Sequence, residues 1–555
     1  MQTSNVVELV RAFAFSQPQV PALVDKRSGR SVTFGRLVRD LDETAAALRA
    51  AGVQPGERVA LFVATGIEFV TLVFACLQMG AIPVLIDPGM GAKNVIACVK
   101  EQAPRALLGI AKAHLLRVLA GVAFKSVKVR LLVGGGWFPG ARALATLKGT
   151  DESVADVSGD ETAAILYTSG STGAPKGVVY THAMLAGQVT AIRDMFAIRP
   201  GEVDVACFLP FGLFSVAMGM TAVFPDMDFR FPAKANPTKI LAALAGATSA
   251  FASPALWEPF SYFMDCQSVA LTGLKRVLTA GAPVRPALHE RLLRHLPDGD
   301  VFTPYGATEA LPVSFMSGRA VVSETASATR LGKGTCVGAL APGVEVKILA
   351  VTDNAIERMA DAVEVSLGSL GEIVVRGPCV TRAYDARPEA NRLSKIADGD
   401  TVWHRMGDLG TFDERGRLWF CGRKSQRVST ARGELSSIPI EAVAETLWPE
   451  RAALVGVGAR GAQRAIVVLE YAGRLPPGTR KDRYSEQEGA RVLAALRETD
   501  VGRHVDAAVV YFGSFPVDRR HNAKIERERL AAWVASERPK LLQAPLSLAL
   551  GERAS

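Results

Sequence analysis

Residues Tyr167 to Gly177 read YTSGSTGAPKG. Glycines, hydroxylated residues and one lysine share a short stretch, a mixture suited to gripping a polyphosphate. Thr168, Ser169, Gly170, Ser171, Thr172 and Gly173 offer hydroxyls and unobstructed backbone N–H groups as donors. Glycine lets the backbone come close to a ligand and take positive φ. Lys176 adds a mobile positive charge, and Pro175 stiffens its approach. The G-x-x-x-x-G-K-[ST] spacing of a Walker loop is absent. A flexible linker has a similar composition, but linkers are usually longer and are not wedged between apolar segments. Here Ala163–Tyr167 leads in with the look of a buried strand.

Three further clusters carry chemistry. Tyr305-Gly306-Ala307-Thr308-Glu309 delivers a ring, a hydroxyl and a carboxylate within five residues. The ring can stack on a flat base, Thr308 can bond a phosphate, and Glu309 is a hard oxygen ligand of the kind Mg²⁺ prefers beside phosphate oxygens. Gly281-Ala282-Pro283 offers a small-residue wall for the other face of that base. Trp403-His404-Arg405-Met406-Gly407-Asp408-Leu409 and Gly422-Arg423-Lys424 pair an acid with a base. Asp408 can accept from both hydroxyls of a ribose, and Arg423 can donate to the same sugar. Pro516-Val517-Asp518-Arg519-Arg520-His521-Asn522-Ala523-Lys524 is a polar loop before the last helix. It would carry Lys524 on a mobile tip, as a compact donor for charge developing on a phosphate or carboxylate oxygen. Taken singly, the first reads equally well as a plain turn, and the other two read better as a surface Gly-Asp turn with a surface arginine and as a basic surface loop.

Together, in this order and spacing, the four elements resemble the adenylate-forming superfamily of acyl-CoA synthetases, peptide-synthetase adenylation domains and luciferases. The resemblance spans essentially the whole chain. It implies phosphate binding by Thr168–Gly173 and Lys176, and adenine contact by Gly281, Ala282, Pro283, Tyr305 and Gly306. It also implies α-phosphate contact by Thr308, Mg²⁺ at Glu309, ribose contact by Asp408 and Arg423, and a catalytic Lys524. ATP and Mg²⁺ are the implied cofactors. A small C-terminal domain would swing about a hinge at Lys424-Ser425.

Four departures narrow the resemblance. Leu209-Pro210-Phe211-Gly212-Leu213-Phe214-Ser215 lacks the histidine usual in CoA ligases, Met406 replaces a common threonine, and Ala523 replaces the usual glycine before the lysine. Val428-Ser429-Thr430-Ala431-Arg432-Gly433-Glu434 lacks the paired glycines that leave room for pantetheine. Without a CoA tunnel, the second nucleophile can be a β-hydroxyl of the substrate itself. Intramolecular attack is entropically favoured and would close a four-membered ring against its strain. In these features the chain is similar to the β-lactone synthetases of bacterial long-chain olefin biosynthesis. That resemblance implies a 2-alkyl-3-hydroxy fatty acid substrate and a partner dehydrogenase and hydrolase. A fatty acyl-CoA or acyl-AMP ligase is the alternative.

Length and composition set the frame. At 555 residues the chain needs more than one core. Hydrophobic residues at 49% and charged residues at 21% describe a globular protein rather than a disordered one. The net charge of +9 lies in no single long run. It points weakly to nucleic acid and equally to phosphates or lipid head groups, and no nucleic-acid partner is expected. Seven scattered cysteines without a CxxC pair fit a reducing, cytoplasmic compartment. The N-terminus shows no basic head followed by an apolar core. Val205–Phe224 is a charge-free stretch long enough to span a bilayer, but Pro210, Gly212 and Gly219 interrupt it. A buried strand–loop–helix lining an apolar pocket is expected there instead.

The remaining pattern predicts an α/β protein. Strand–helix–strand alternation starts at Arg58 and reads as doubly wound α/β. Short strands dominate about 331–422, giving a β-rich subdomain of an N-terminal domain over 1–422. A mobile α+β lid domain is expected over 423–555, with a polar insertion at Ala472–Gln487. No internal repeat is visible.

Overall fold

A computed structural model describes residues 5–168, 174–475, 479–517 and 525–537. The expected phosphate-loop residues Ser169, Gly170, Ser171, Thr172 and Gly173, and Lys524, lie outside these. The fold is mixed α/β, with a large N-terminal domain and a small C-terminal one.

Two sheets form the large domain. The first has seven strands in the order Arg142–Ala143, Val129–Leu132, Ala106–Gly109, Arg58–Phe62, Ile82–Leu85, Thr162–Thr168 and Lys176–Thr181. All its pairings are parallel except the last, which pairs the strands on either side of the expected phosphate loop. The second sheet has a parallel centre of Thr221–Phe224, Val203–Ala206, Ser249–Ala252, Arg276–Thr279 and Asp300–Ala307. From Asp300–Ala307 it turns antiparallel through Ala310–Ser317 and Thr335–Leu340, and runs on into the β-rich strands.

The helix Ile67–Gln78 is buried at every position but Glu68. Its sequence, IEFVTLVFACLQ, is apolar on all sides, and such a helix must be covered all round. It packs against strands of both sheets. Polar caps set two other helices: the Thr33 hydroxyl accepts from the Arg36 N–H, and Thr181 accepts from that of Met184, each at 3.2 Å.

Several elements differ from expectation. Val205–Phe224 forms a strand, the helix Leu209–Ala217 and a second strand, because Gly219 at φ +75° reverses the chain. Among the described residues no helix is long and apolar enough to cross a membrane. The Gly-Asp segment lies not in a turn but inside the strand Thr401–Phe412, where Trp403 to Met406 are buried by neighbouring strands. The polar stretch Ala472–Gln487 holds the start of the helix Lys481–Arg497; only Ser485 of its first two turns is buried, so apolar periodicity there is weak. Six of the seven cysteines are buried thiols, and Cys266 is exposed.

In the small domain a three-stranded sheet, Ala452–Val457, Arg464–Tyr471 and Ala507–Phe512, is covered on one face by Ser437–Leu447 and Lys481–Arg497. Arg527–Glu537 covers the other. At the junction of the two domains Glu372 is buried. Its Oε2 accepts from Arg405 Nη2 at 2.6 Å, and Lys424 Nζ lies 2.9 Å from its Oε1. Both cations also donate to the Thr352 carbonyl oxygen. Removing one partner of a buried ion pair costs about 3–5 kcal/mol, because the other charge stays dehydrated. Glu372→Ala is therefore expected to destabilise the protein by about that amount, read as a lowered urea midpoint.

Candidate active site

The segment from Val380 to Asp385 ties the two sheets together. The Thr381 N–H donates to the Glu309 carbonyl oxygen, and the Asp385 N–H to that of Gly177, each at 2.8 Å. Tyr384 bridges to Val178 and Val380 to Ala310. This stitching brings the phosphate-loop hairpin against the YGATEA turn. Tyr384 lies between them: its hydroxyl donates to Glu309 Oε1 at 2.7 Å, and Lys176 Nζ sits 4.8 Å from its ring centre. Burial and the Glu309 carboxylate both raise the Tyr384 phenol, so it stays a donor.

Glu309 and its neighbours occupy the turn between Asp300–Ala307 and Ala310–Ser317. The Thr308 carbonyl oxygen accepts from the Tyr180 hydroxyl at 2.6 Å, which locks the turn to the strand after the phosphate loop. A Cβ on Gly306 would stand 2.5 Å from the Ala310 carbonyl oxygen, so only glycine fits there.

Asp408 and Arg423 are direct cross-strand partners. Arg423 Nη1 lies 2.8 Å from Asp408 Oδ1, and the Tyr305 hydroxyl donates to Asp408 Oδ2 at 2.7 Å. Burial, the first cause, and the adjacent carboxylate hold the Tyr305 phenol well above its usual value. Asp408 is 2% exposed, and its charge is held in place by these two donors.

These groups share one cavity of about 2940 Å³. Lys176, Thr308, Glu309, Asp408, Arg423 and Lys424 line it, as do Gly281, Ala282, Pro283, Tyr305 and Gly306. Gly281, at φ +97°, bends the wall beside Tyr305. The apolar end is formed by Phe208, Phe211, Phe214, Phe224 and Phe251, with the Phe211 and Phe251 rings stacked 4.3 Å apart. Ile525 and Arg527 of the small domain also face the cavity, next in the chain to Lys524. Thr168 ends its strand opposite Lys176. Lys424 and Ser425, the expected hinge, sit in the single turn Lys424–Gln426.

Sequence reasoning missed Tyr384, Lys395 and the role of His404 as packing. Lys395 Nζ donates to Thr381 Oγ1 at 3.1 Å and lies 5.7 Å from the Tyr384 ring centre. Burial lowers its ammonium to about 7, against the opposing pull of Glu309. His404 is buried with Nδ1 3.2 Å from the Ser394 carbonyl oxygen, and burial and Lys395 keep it neutral. A lone tyrosine and lysine in a polar loop carry no spacing signal.

A carboxylate beside a hydroxyl-rich turn, an acid–base pair and a long apolar recess suit a nucleotide and an acid with an alkyl chain. Comparison with known proteins agrees. The AMP-binding enzyme family matches residues 10–385. The chain is 42% identical over 513 residues to an olefin beta-lactone synthetase of Stenotrophomonas maltophilia, covering 90% of each chain. It is 40% identical over 525 residues to that of Xanthomonas campestris, covering 92% of each. Among solved structures, the amide bond synthetase McbA from Marinactinospora thermotolerans has the same fold. It aligns with a TM-score of 0.76 and 22% identity over 95% of this chain and 99% of that one. The chain thus belongs to the AMP-binding enzyme family and is an ATP-dependent adenylate-forming ligase, similar over nine-tenths of its length to olefin beta-lactone synthetases.

Proposed function

We propose that this enzyme converts a long-chain 2-alkyl-3-hydroxy acid and ATP into a β-lactone, AMP and diphosphate. The observation that carries this reading is the match across nine-tenths of the chain to olefin beta-lactone synthetases. The reaction has two steps. An oxygen of the substrate carboxylate attacks the α-phosphorus, and the bond from that phosphorus to diphosphate breaks. The β-hydroxyl oxygen of the same molecule then attacks the acyl carbonyl. The bond to AMP breaks, the hydroxyl proton passes to solvent, and the four-membered ring closes. Positioning and charge neutralisation do most of the first step.

In this reading Thr168, Ser169, Gly170, Ser171, Thr172, Gly173 and Lys176 hold the β- and γ-phosphates. Tyr305, Gly306 and Gly281–Pro283 flank the adenine, while Asp408 and Arg423 hold the ribose. Thr308 contacts the α-phosphate, and Lys524 neutralises charge on the reacting oxygens. Glu309 fits a Mg²⁺ bound partly through substrate phosphates: one oxygen accepts from Tyr384 and the other remains for the ion. The ion would supply charge neutralisation at the phosphates. The domain boundary falls at 422/423, and Lys424-Ser425 is the pivot. We place the enzyme in the cytoplasm, alongside a dehydrogenase and a hydrolase of the same pathway.

The loop after the pivot supports a reaction without CoA. Val428–Thr430 and Gly433–Leu435 form a hairpin whose tip carries Arg432. Its sequence lacks the paired glycines that would leave room for pantetheine, and the Arg432 guanidinium is tied to Asp506 Oδ1 at 2.6 Å. Incubation of a 2-alkyl-3-hydroxy acid with ATP and Mg²⁺ is expected to yield β-lactone, AMP and diphosphate in equal amounts, measured by mass spectrometry. The 3-deoxy analogue is expected to stop at the acyl-adenylate. An absolute requirement for CoA would overturn the lactone reading in favour of an acyl-CoA ligase.

A further inference from the structure

The surplus positive charge is concentrated. Between Glu101 and Asp151 there are eight Lys or Arg residues and no acid, against a net charge of +9 for the whole chain. The helix Ala111–Leu119 lies in this segment. Its outer face and the following turn expose Leu115, Val118, Leu119 and Val122, the last two at 77% and 78%. Trp137, 79% exposed, lies on a neighbouring loop that packs through Phe138 onto His114, with ring centres 5.5 Å apart. Around this apolar face, exposed Lys112, Lys125, Lys128 and Arg130 have no ion-pair partner among the described residues. A free-standing apolar patch of this kind marks an interaction surface, because water is a poor solvent for it.

The patch adjoins the cavity. Ile110, Lys112, Ala113 and Leu116 line it from the same helix and its approach. Ile110, Phe208, Phe231 and Tyr262 both line the cavity and are exposed, so they stand at its opening. Arg230 and Lys234 sit over the Phe231 ring at 5.6 and 5.5 Å.

We propose that this face rests on a bilayer containing anionic phospholipid, so that a long-chain acid passes from the membrane into the apolar recess. An amphipathic helix lying in the interface needs exposed apolar side chains flanked by cations, and this one has both. Unpaired cations with no acid among them complement an anionic head-group layer better than a mixed-charge protein surface. The two alkyl chains of the substrate proposed above make it sparingly soluble, which gives the contact a use. That use rests on the proposed substrate, whereas the contact itself does not.

The test is co-sedimentation of the full chain with vesicles of phosphatidylcholine alone or mixed equally with phosphatidylglycerol. Binding is expected only to the mixed vesicles, and is expected to weaken as salt rises. Each basic residue near an anionic surface contributes about fivefold in partitioning, from about 1 kcal/mol. Lys125→Glu/Lys128→Glu is thus expected to lower partitioning by at least roughly 25-fold. Leu119→Glu/Val122→Glu is expected to lower it at all salt concentrations. None of these four lines the cavity, so turnover of a short-chain, soluble hydroxy acid should be unchanged in both variants. Equal partitioning of wild type and variants, or no binding to mixed vesicles, would overturn the proposal. So would the patch's capturing a pathway partner protein while ignoring vesicles. Normal turnover without vesicle binding removes this proposal and leaves the lactone reading standing; absent turnover with vesicle binding does the reverse.

Discussion

Glu309→Gln is expected to lower kcat/KM for ATP by roughly 10²–10³, the usual effect of deleting one charge-stabilising group at a phosphoryl centre. Glutamine keeps the shape of the side chain, and its carbonyl oxygen can still accept from the Tyr384 hydroxyl. The turn is held by backbone contacts, Thr381 N–H to the Glu309 carbonyl oxygen and Tyr180 hydroxyl to that of Thr308. The thermal midpoint should therefore move little. What disappears is the negative charge proposed to meet Mg²⁺, so the Mg²⁺ concentration needed for half-maximal rate should rise. Tyr384→Phe removes one hydrogen bond to a charged group, worth about 1.5–3 kcal/mol. It is expected to cost roughly ten- to hundredfold, with the Mg²⁺ dependence shifted in the same direction. An unchanged Mg²⁺ dependence in Glu309→Gln would remove Glu309 from the metal role.

Lys524→Ala is expected to separate the two half-reactions. Its ammonium is proposed to meet charge on the carboxylate and α-phosphate as they react, so acyl-adenylate formation should fall roughly 10²–10³-fold. Lactone closure from a supplied acyl-adenylate should be nearly unaffected, because diphosphate has already gone. Arg527 is anchored by Glu441, with Nη2 at 2.7 and 2.8 Å from the two carboxylate oxygens, and both it and Ile525 face the cavity. Diphosphate release measured at single turnover checks the first step, and mass spectrometry of the lactone checks the second. Equal losses in both steps would assign Lys524 to binding rather than to the first step.

Much was legible before any coordinates. The strands expected from Arg58, Ala81 and Ser249 announce themselves as short apolar runs bounded by turn residues; the observed strands begin at Arg58, Ile82 and Ser249. The phosphate loop, the YGATEA turn and the Asp408–Arg423 pair declare their chemistry by residue type. The strand Thr401–Phe412 was not legible. It contains His404, Arg405 and Asp408, which read as polar, yet all three are buried. Their burial depends on partners far away in sequence: Arg405 on Glu372, and Asp408 on Tyr305 and Arg423. The basic segment between Glu101 and Asp151 went unread in the sequence, because its eight cations are dispersed singly and form no contiguous run.

The amino-acid sequence by itself determined which groups are available for the proposed nucleotide site: hydroxyls and a lysine suited to phosphate, a carboxylate suited to an ion, an acid and a base suited to a sugar. Such identities are local and survive in any order of packing. Only the tertiary structure decided that Tyr384 links Lys176 to Glu309, and that the cations and leucines near residue 115 share one face at the mouth of the recess. Those neighbours are set by sheet register and by backbone bonds between segments some 200 residues apart, such as Asp385 to Gly177. Pairings of that kind leave no periodic trace along the chain.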